Sequence, residues 1–115
     1  MTNLNSVIES WTYLGSAERL LSAEDRVLVV DMIAANPEAG VVIPGTGGLR
    51  KLRIGLPGRG KRGGGRVIYW YHSPGLPIVL LWLLAKSAAA DLTKDQYRRL
   101  VQAIDGLAED FGAKR

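Results

Sequence analysis

The feature that most limits the possible folds of this chain is an apolar run over residues 76–85. This run is too short to cross a membrane as a helix, which takes roughly 20 apolar residues. It follows Ser73-Pro74-Gly75, which suits the first three positions of a type II turn. A run of this kind is typical of a buried strand, so we predict a central strand over residues 77–85. At 115 residues, the chain is long enough for one domain with one core around that strand.

The first third of the chain is predicted to be mainly helical. A short strand over residues 7–11 and a helical turn over residues 17–21 come first. Ser22 followed by Asp25 is typical of a helix N-terminus, because the serine hydroxyl accepts a backbone N–H and the carboxylate lies in the first turn. Apolar residues at helical spacing continue to Asn36-Pro37, which ends this helix.

The remaining two thirds are predicted to form an antiparallel meander and then a helix. Residues 49–56 and 66–72 alternate as strands do, and a glycine-rich basic loop over residues 58–65 joins them. Thr93 and Gln96 form a capping box at the start of an amphipathic helix. The elements together predict an α+β fold, a small antiparallel sheet with N-terminal helices and a C-terminal helix packed on one side of it.

Charge is distributed unevenly along the chain, which has 15 Lys and Arg residues and 11 Asp and Glu residues. Between residues 39 and 90 eight residues are basic and none is acidic, whereas the flanking segments hold the other seven basic residues and all the acidic ones. A concentrated positive field is typical of proteins that bind a polyanion, most often nucleic acid. A solvated surface loop without a ligand is the alternative.

The residue types exclude several kinds of site. The chain has no cysteine and one histidine, His72, so a metal centre built from sulfur and nitrogen ligands is not expected. We predict neither a metal nor another cofactor. The lack of cysteine suits a reducing cytoplasm, and residues 1–10 lack the basic start and apolar run of a secretory signal. We therefore expect a cytoplasmic protein.

Several of the basic side chains are predicted to meet on one face of the sheet. Because alternate residues of a strand share a face, Lys51 and Arg53 point to the same side. Antiparallel pairing would bring Arg66 beside them on the side that no helix covers. Lys86, at the end of the third strand of the meander, would close the cluster, and Trp70 would offer a ring for base stacking. For the aromatic residues, ordinary packing in the sheet is the alternative.

Such a cluster supports cleavage of RNA without a metal. The ribose 2′-hydroxyl supplies the nucleophile, so a protein need only remove its proton, stabilise the crowded phosphate and protonate the leaving oxygen. Clustered cations stabilise the phosphate directly. Like charges nearby favour the neutral form of a lysine, which can then accept the proton. With one histidine, a two-histidine nuclease is excluded, and we expect His72 to be structural.

Parts of the sequence resemble one family. The stretches are PGTGGLRKLR at residues 44–53, LPGRGKRGGGRVIY at residues 56–69, and Lys86 with Asp91-Leu92-Thr93. They resemble the HigB branch of the RelE-like toxins, over residues 36–96. Members are ribosome-dependent messenger-RNA endonucleases, each neutralised by an antitoxin encoded beside it. The resemblance implies the RelE fold and, as partners, messenger RNA, the ribosomal A site and an antitoxin of helix-turn-helix type, with no membrane.

The resemblance also implies roles for individual residues. Lys51 and Arg53 match paired basic residues on the family's catalytic strand, and Arg66 matches the arginine that contacts the scissile phosphate. Lys86 matches the basic residue that ends the last strand. Leu84 stands where many relatives have tyrosine, and no residue is matched to the general acid. The predicted contacts with RNA or the ribosome are Arg50, Arg59, Lys61, Arg62 and Trp70.

Two other functions fit the same residues. A non-catalytic RNA- or ribosome-binding module would share the cations but lack the chemistry. A scaffold that binds an acidic protein would need only the positive charge. Loss of cleavage in an Arg66→Ala variant favours the enzyme, whereas binding that survives high salt and ignores RNA favours the scaffold.

Overall fold

A sheet with helices packed on it forms the structure. The computed structural model describes residues 6–56, 60–85 and 92–110, and within them the chain has five strands and three helices. In chain order these are β1 (Val7–Glu9), α1 (Trp11–Ala17), α2 (Ala23–Ala35), β2 (Val41–Val42), β3 (Leu49–Leu56), β4 (Gly60–Trp70), β5 (Ile78–Ala85) and α3 (Lys94–Asp110). The predicted α+β class is confirmed.

The strands lie in the order β1-β5-β4-β3-β2. β3 pairs antiparallel with β4 and β4 with β5, which confirms the predicted meander, and β5 is internal to the sheet as expected. β2, which the sequence does not predict, adds antiparallel to β3. β1 runs parallel to β5, so the expectation of a purely antiparallel sheet is wrong at this edge. A two-residue hairpin forces neighbouring strands to run antiparallel, but β1 and β5 are far apart in the sequence. Their direction therefore cannot be predicted from the connection between them.

The sheet is covered on both faces because β5 is apolar on both. Leu80 and Leu83 lie in a core cluster with residues of α1 and α2. Val79 and Leu81 lie in a second cluster with residues of α3, including Ile104. The expectation that all helices pack on one side is therefore wrong, since α3 lies on the face opposite α1 and α2. A strand that is apolar all round needs cover on both sides.

The predicted helix starts are confirmed by their hydrogen bonds. Ser22 Oγ accepts the backbone N–H of Asp25 at 3.1 Å and caps α2. Before α3, Thr93 Oγ1 accepts the N–H of Gln96 at 3.1 Å, and Gln96 Oε1 accepts the N–H of Thr93 at 2.8 Å. These bonds satisfy backbone donors that have no partner inside the helix. No helix in the described residues is long and apolar enough to span a membrane.

α1 and β4 differ most from their predicted bounds. α1 starts one residue after Ser10, whose Oγ accepts the N–H of Tyr13 at 3.2 Å, whereas the sequence predicts a strand through residue 11 and the first helical turn only at residues 17–21. β4 begins at Gly60, inside the predicted loop over residues 58–65. Glycine has no side chain, so a glycine-rich strand lacks the alternation that would reveal it.

Candidate nucleic-acid interface

Three basic side chains meet on one face of the β3–β4 ladder. Arg53 lies directly opposite Arg66, and Lys51 lies opposite Ile68. Their face is the one whose core includes Ile68, on the same side as α3. Lys51, Arg53 and Arg66 line a pocket of about 290 Å³ together with Val41 of β2. We define these four residues as the cationic pocket.

Strand alternation and register bring the three cations together. Lys51 and Arg53 are two residues apart on β3, so both point to the face opposite Leu52, which packs against the α1–α2 side of the sheet. The antiparallel register then places Arg66 across from Arg53. The predicted convergence of Lys51, Arg53 and Arg66 is therefore present, but the face is shared with α3 rather than free of helices.

The electrostatics of the cationic pocket favour an anion. Cross-strand partners such as Arg53 and Arg66 have Cβ atoms about 5 Å apart, and like charges directly opposite each other destabilise a sheet. No acidic side chain is among the described residues that line the pocket. Two neighbouring guanidinium groups offer several N–H donors to one phosphate, whose oxygens accept them in bidentate pairs.

Several predicted site residues lie wholly or partly outside the described residues. Lys86 and Arg59 lie outside them altogether. Lys61 and Arg62 belong to the first residues of β4, but only their backbone is described. The roles predicted for these four residues stay predictions.

Arg50 has a structural role on the opposite face of β3. Its Nη1 donates to the carbonyl oxygens of Gly40 at 2.8 Å and Glu38 at 3.3 Å. Its guanidinium carbon lies 5.8 Å from the centre of the Tyr71 ring. Arg50 therefore ties the segment before β2 to the sheet, and it does not line the cationic pocket. Alternation separates Arg50 from Lys51, so Arg50 does not join the other cations, and the contact with RNA or the ribosome predicted for it stays a prediction.

Trp70 is a core residue. Its side chain has no exposed surface, and its Nε1 donates to the carbonyl oxygen of Gly47 at 3.2 Å. Gly48 approaches so closely that a Cβ there would lie 3.2 Å from the same nitrogen. A buried ring cannot stack on an RNA base, so the prediction of Trp70 as an RNA contact is wrong. The alternative of ordinary packing in the sheet is the one that the structure supports.

Tyr69 completes a network that the sequence does not reveal. Its hydroxyl accepts the N–H of Gly40 at 2.8 Å and donates to the carbonyl oxygen of Pro37 at 2.7 Å. Burial raises the pKa of Tyr69, against smaller opposing effects of the Gly40 hydrogen bond and the Arg50 charge. We define Pro37, Gly40, Arg50 and Tyr69 as the Gly40 anchor. The anchor fixes the chain just before Val41, which is one wall of the cationic pocket.

His72 lies away from the cationic pocket. Its Nδ1 shares a hydrogen bond of 2.9 Å with Ser73 Oγ, and its ring lies 5.8 Å from that of Trp70. His72 lies six positions along the chain from Arg66, which is roughly 20 Å in an extended strand. This position agrees with the structural role expected for it. Within the described ranges, no three His, Asp or Glu side chains come together as a metal site would need.

No protein-family model matches the sequence. The resemblance to the RelE-like toxins is therefore carried by the quoted sequence stretches alone. The structure adds an α+β fold and a pocket of three cations that is suited to phosphate.

Proposed function

We propose that this protein is a metal-independent endoribonuclease that binds and cleaves messenger RNA at the cationic pocket. The observation that supports the proposal is the placing of Lys51, Arg53 and Arg66 around one pocket, with the two arginines directly opposite each other. Such an arrangement can hold the oxygens of a single phosphodiester from two sides. It also neutralises the charge that grows on those oxygens during reaction.

In the proposed reaction the ribose 2′-oxygen forms a bond to the neighbouring phosphorus while the bond from phosphorus to the 5′-oxygen breaks. The proton of the 2′-hydroxyl passes to a base, and the leaving 5′-oxygen takes up a proton. The products are a 2′,3′-cyclic phosphate and a 5′-hydroxyl end. Arg53 and Arg66 bind the non-bridging oxygens, and Lys51 is the side chain of the pocket that takes part in the proton transfer.

The sequence resemblance extends this proposal to the biological setting. It supports a cytoplasmic toxin that acts on messenger RNA in the ribosomal A site and is neutralised by an antitoxin of helix-turn-helix type. Lys86 and the basic residues Arg59, Lys61 and Arg62 would add contacts to the RNA or the ribosome. These partners rest on the resemblance, whereas the binding of phosphate rests on the described pocket.

Expression of the protein and of two arginine variants tests the proposal. We expect the wild-type chain to arrest growth and cut translated messenger RNA, and Arg66→Ala to lower cleavage by about a hundredfold or more. Arg98→Ala is the matched control, because Arg98 on α3 is 68% exposed and lies outside the cationic pocket. Cleavage sites and end groups are mapped on RNA recovered from the cells.

Two results would contradict this mechanism. Equal cleavage by the wild-type chain and Arg66→Ala would remove the pocket from the reaction. A 5′-phosphate end in place of a 5′-hydroxyl would exclude attack by the ribose 2′-hydroxyl.

A non-catalytic RNA-binding module is the second candidate, since the described side chains of the pocket that carry charge are all cations. It predicts that purified protein binds RNA and that no cleavage accompanies growth arrest. Three phosphate contacts would give log K a slope of about −2 against log salt for single-stranded RNA. RNA bound with that slope but never cut on ribosomes would favour this candidate.

A further inference from the structure

The central strand β5 leaves two of its eight side chains partly exposed, Trp82 and Leu84, and buries the other six. Both exposed side chains pack against the second core cluster, on the face that the sheet shares with α3 and with the cationic pocket. Another tryptophan on this face, Trp70, has no exposed surface. The face therefore buries one indole ring completely and leaves a second one in contact with solvent.

Trp82 lies close to the cationic pocket across the sheet. β4 pairs with β5 so that Arg66 lies opposite Leu84 and Ile68 lies opposite Trp82. Trp82 is thus the diagonal neighbour of Arg66 on the same face. Diagonal neighbours are roughly 7–8 Å apart, which is within reach of aromatic and long side chains. On the other side of β4, Ile68 lies opposite Lys51, so the indole ring and the cations lie next to each other on one surface.

An irregularity in β5 places Trp82 on this face. The register shifts where β4 advances by one residue, from Ile68 to Tyr69, and β5 advances by two. Leu81 is the extra residue of β5, and both Leu81 and Trp82 pack on the face of α3. Without the extra residue, alternation would turn one of these two neighbours to the opposite face. Such β-bulges are frequent next to active sites, where they re-aim a side chain.

Trp82 also lines two cavities that contain arginine. One, of about 200 Å³, lies at the start of α3 and includes Arg99. The other, of about 330 Å³, lies beside α1 and includes Arg19. No acidic side chain is among the described residues that line either cavity, although Arg99 also pairs with Asp95 at 3.1 Å. Cations around an aromatic ring are typical of surfaces that bind single-stranded nucleic acid.

We propose that Trp82 stacks on a base of the RNA whose phosphate lies in the cationic pocket. A base is one ribose away from its phosphate, so a ring beside Arg66 reaches a nucleotide next to the bound phosphate. Stacking needs an unpaired base, which restricts the substrate to single-stranded RNA, and every base has a π-face, so no sequence is selected by this contact. The inference rests on the proposed function for its ligand, RNA, but not for cleavage.

A short RNA in which every 2′-hydroxyl is methylated tests the stacking, because the proposed reaction cannot cut it. A matched series lacks one base at successive positions. We expect one of these abasic positions to weaken binding to the wild-type chain by about tenfold, the effect of losing one stacked base. Trp82→Leu should weaken the complete oligonucleotide by a similar factor, and the two changes together should weaken it no further than either one alone.

Salt dependence separates this stacking from phosphate binding. Trp82→Leu removes no charge, so the slope of log K against log salt should stay that of the wild-type chain. Arg66→Ala should make the slope shallower by about 0.7, which corresponds to one phosphate contact on a single strand. Trp11→Leu is the matched control and should bind as the wild-type chain does, since Trp11 is 90% exposed on α1 and lines neither cavity.

Fluorescence gives a second readout that does not depend on a loss of packing. Trp82→Phe keeps an aromatic ring against the core and should restore part of the affinity that Trp82→Leu loses. The bound oligonucleotide should quench the indole emission of the wild-type chain and of Trp11→Leu, but not that of Trp82→Phe. Trp70 has no exposed surface and should not respond.

Several results would overturn the inference. Equal affinities of the wild-type chain and Trp82→Leu, or losses from the abasic position and from Trp82→Leu that add, would separate Trp82 from the base. Quenching that Trp11→Leu abolishes would assign the contact to Trp11. A wild-type chain that binds none of the oligonucleotides would also overturn it. If the chain binds the methylated oligonucleotide through Trp82 but cuts no messenger RNA, the proposed cleavage fails while this inference stands.

Discussion

The substitution Tyr69→Phe should destabilise the protein by about 2–4 kcal/mol, which is the sum of the contributions of the two hydrogen bonds that the hydroxyl makes. The bond that Tyr69 donates to the Pro37 carbonyl contributes about 1 kcal/mol, and water can reach that partly buried residue in the variant. The bond that it accepts from Gly40 costs more to lose, about 1–3 kcal/mol, because Gly40 is buried and its N–H would be left without an acceptor.

Tyr13 provides a matched control for this substitution. Like Tyr69, its side chain has no exposed surface, but among the described residues its hydroxyl has no hydrogen-bond partner. Tyr13→Phe removes the same atom without breaking a described bond, so we expect the free energy of unfolding to stay the same or to rise. The two variants therefore separate the hydrogen bonds of the Gly40 anchor from the mere presence of a buried oxygen.

Equilibrium unfolding in guanidinium chloride, followed by tryptophan fluorescence at neutral pH, measures both variants. Tyr69→Phe should lower the midpoint without changing the slope of the unfolding free energy against denaturant. Equal destabilisation by Tyr69→Phe and Tyr13→Phe would refute the reasoning, since it would show that the two bonds of Tyr69 add nothing.

Two further predictions concern the same residues. Gly40→Ala should destabilise the protein by about 1–3 kcal/mol in the same unfolding assay, because its Cβ would lie 2.8 Å from Tyr69 Oη and 2.9 Å from Cε1. Adding Tyr69→Phe should not restore the stability, because Cε1 remains. An unchanged unfolding free energy in Gly40→Ala would contradict this close approach. Burial, aided by Glu9 and opposed by Arg26, raises the pKa of Tyr13 from 10.0 to about 12. The neutral phenol is thus favoured in the folded state, so Tyr13 leaves the stability of the wild-type chain unchanged below pH 10 and lowers it by up to about 3 kcal/mol as the pH rises through about 12. Tyr13→Phe should resist alkaline unfolding, followed by circular dichroism, better than the wild-type chain, and identical profiles would contradict the assignment.

The elements with strong periodicity could be predicted from the sequence. The bounds of β3 agree, and β5 begins one residue after its predicted start, because alternation or continuous apolar character marks each of them. α2 lies between Ser22 and Asn36 as its capping residues indicate. Strand alternation also predicts that Lys51 and Arg53 share a face, and the register of the meander brings Arg66 to them.

The remaining features depend on tertiary contacts that periodicity does not encode. Alternation assigns Trp70 to a face but not to a depth, and the packing of α3 over that end of the face decides that it is buried. Arg50 is one of a basic run in the sequence, yet its partners are carbonyl groups before β2 that only the folded chain brings near. The parallel pairing of β1 with β5 arises between segments that are distant in the sequence.

Because Arg53 and Arg66 face each other across two strands, we expect the melting temperature of this protein to rise when an anion binds between them. A ligand that binds only the folded chain raises its stability by mass action, and here that ligand also relieves a repulsion. Material washed free of nucleic acid in strong salt and then returned to dilute buffer should melt at a lower temperature than material that carries oligonucleotide fragments. The ultraviolet absorbance ratio of a preparation, which measures its nucleic-acid content, would thus predict its melting temperature as well as report its purity.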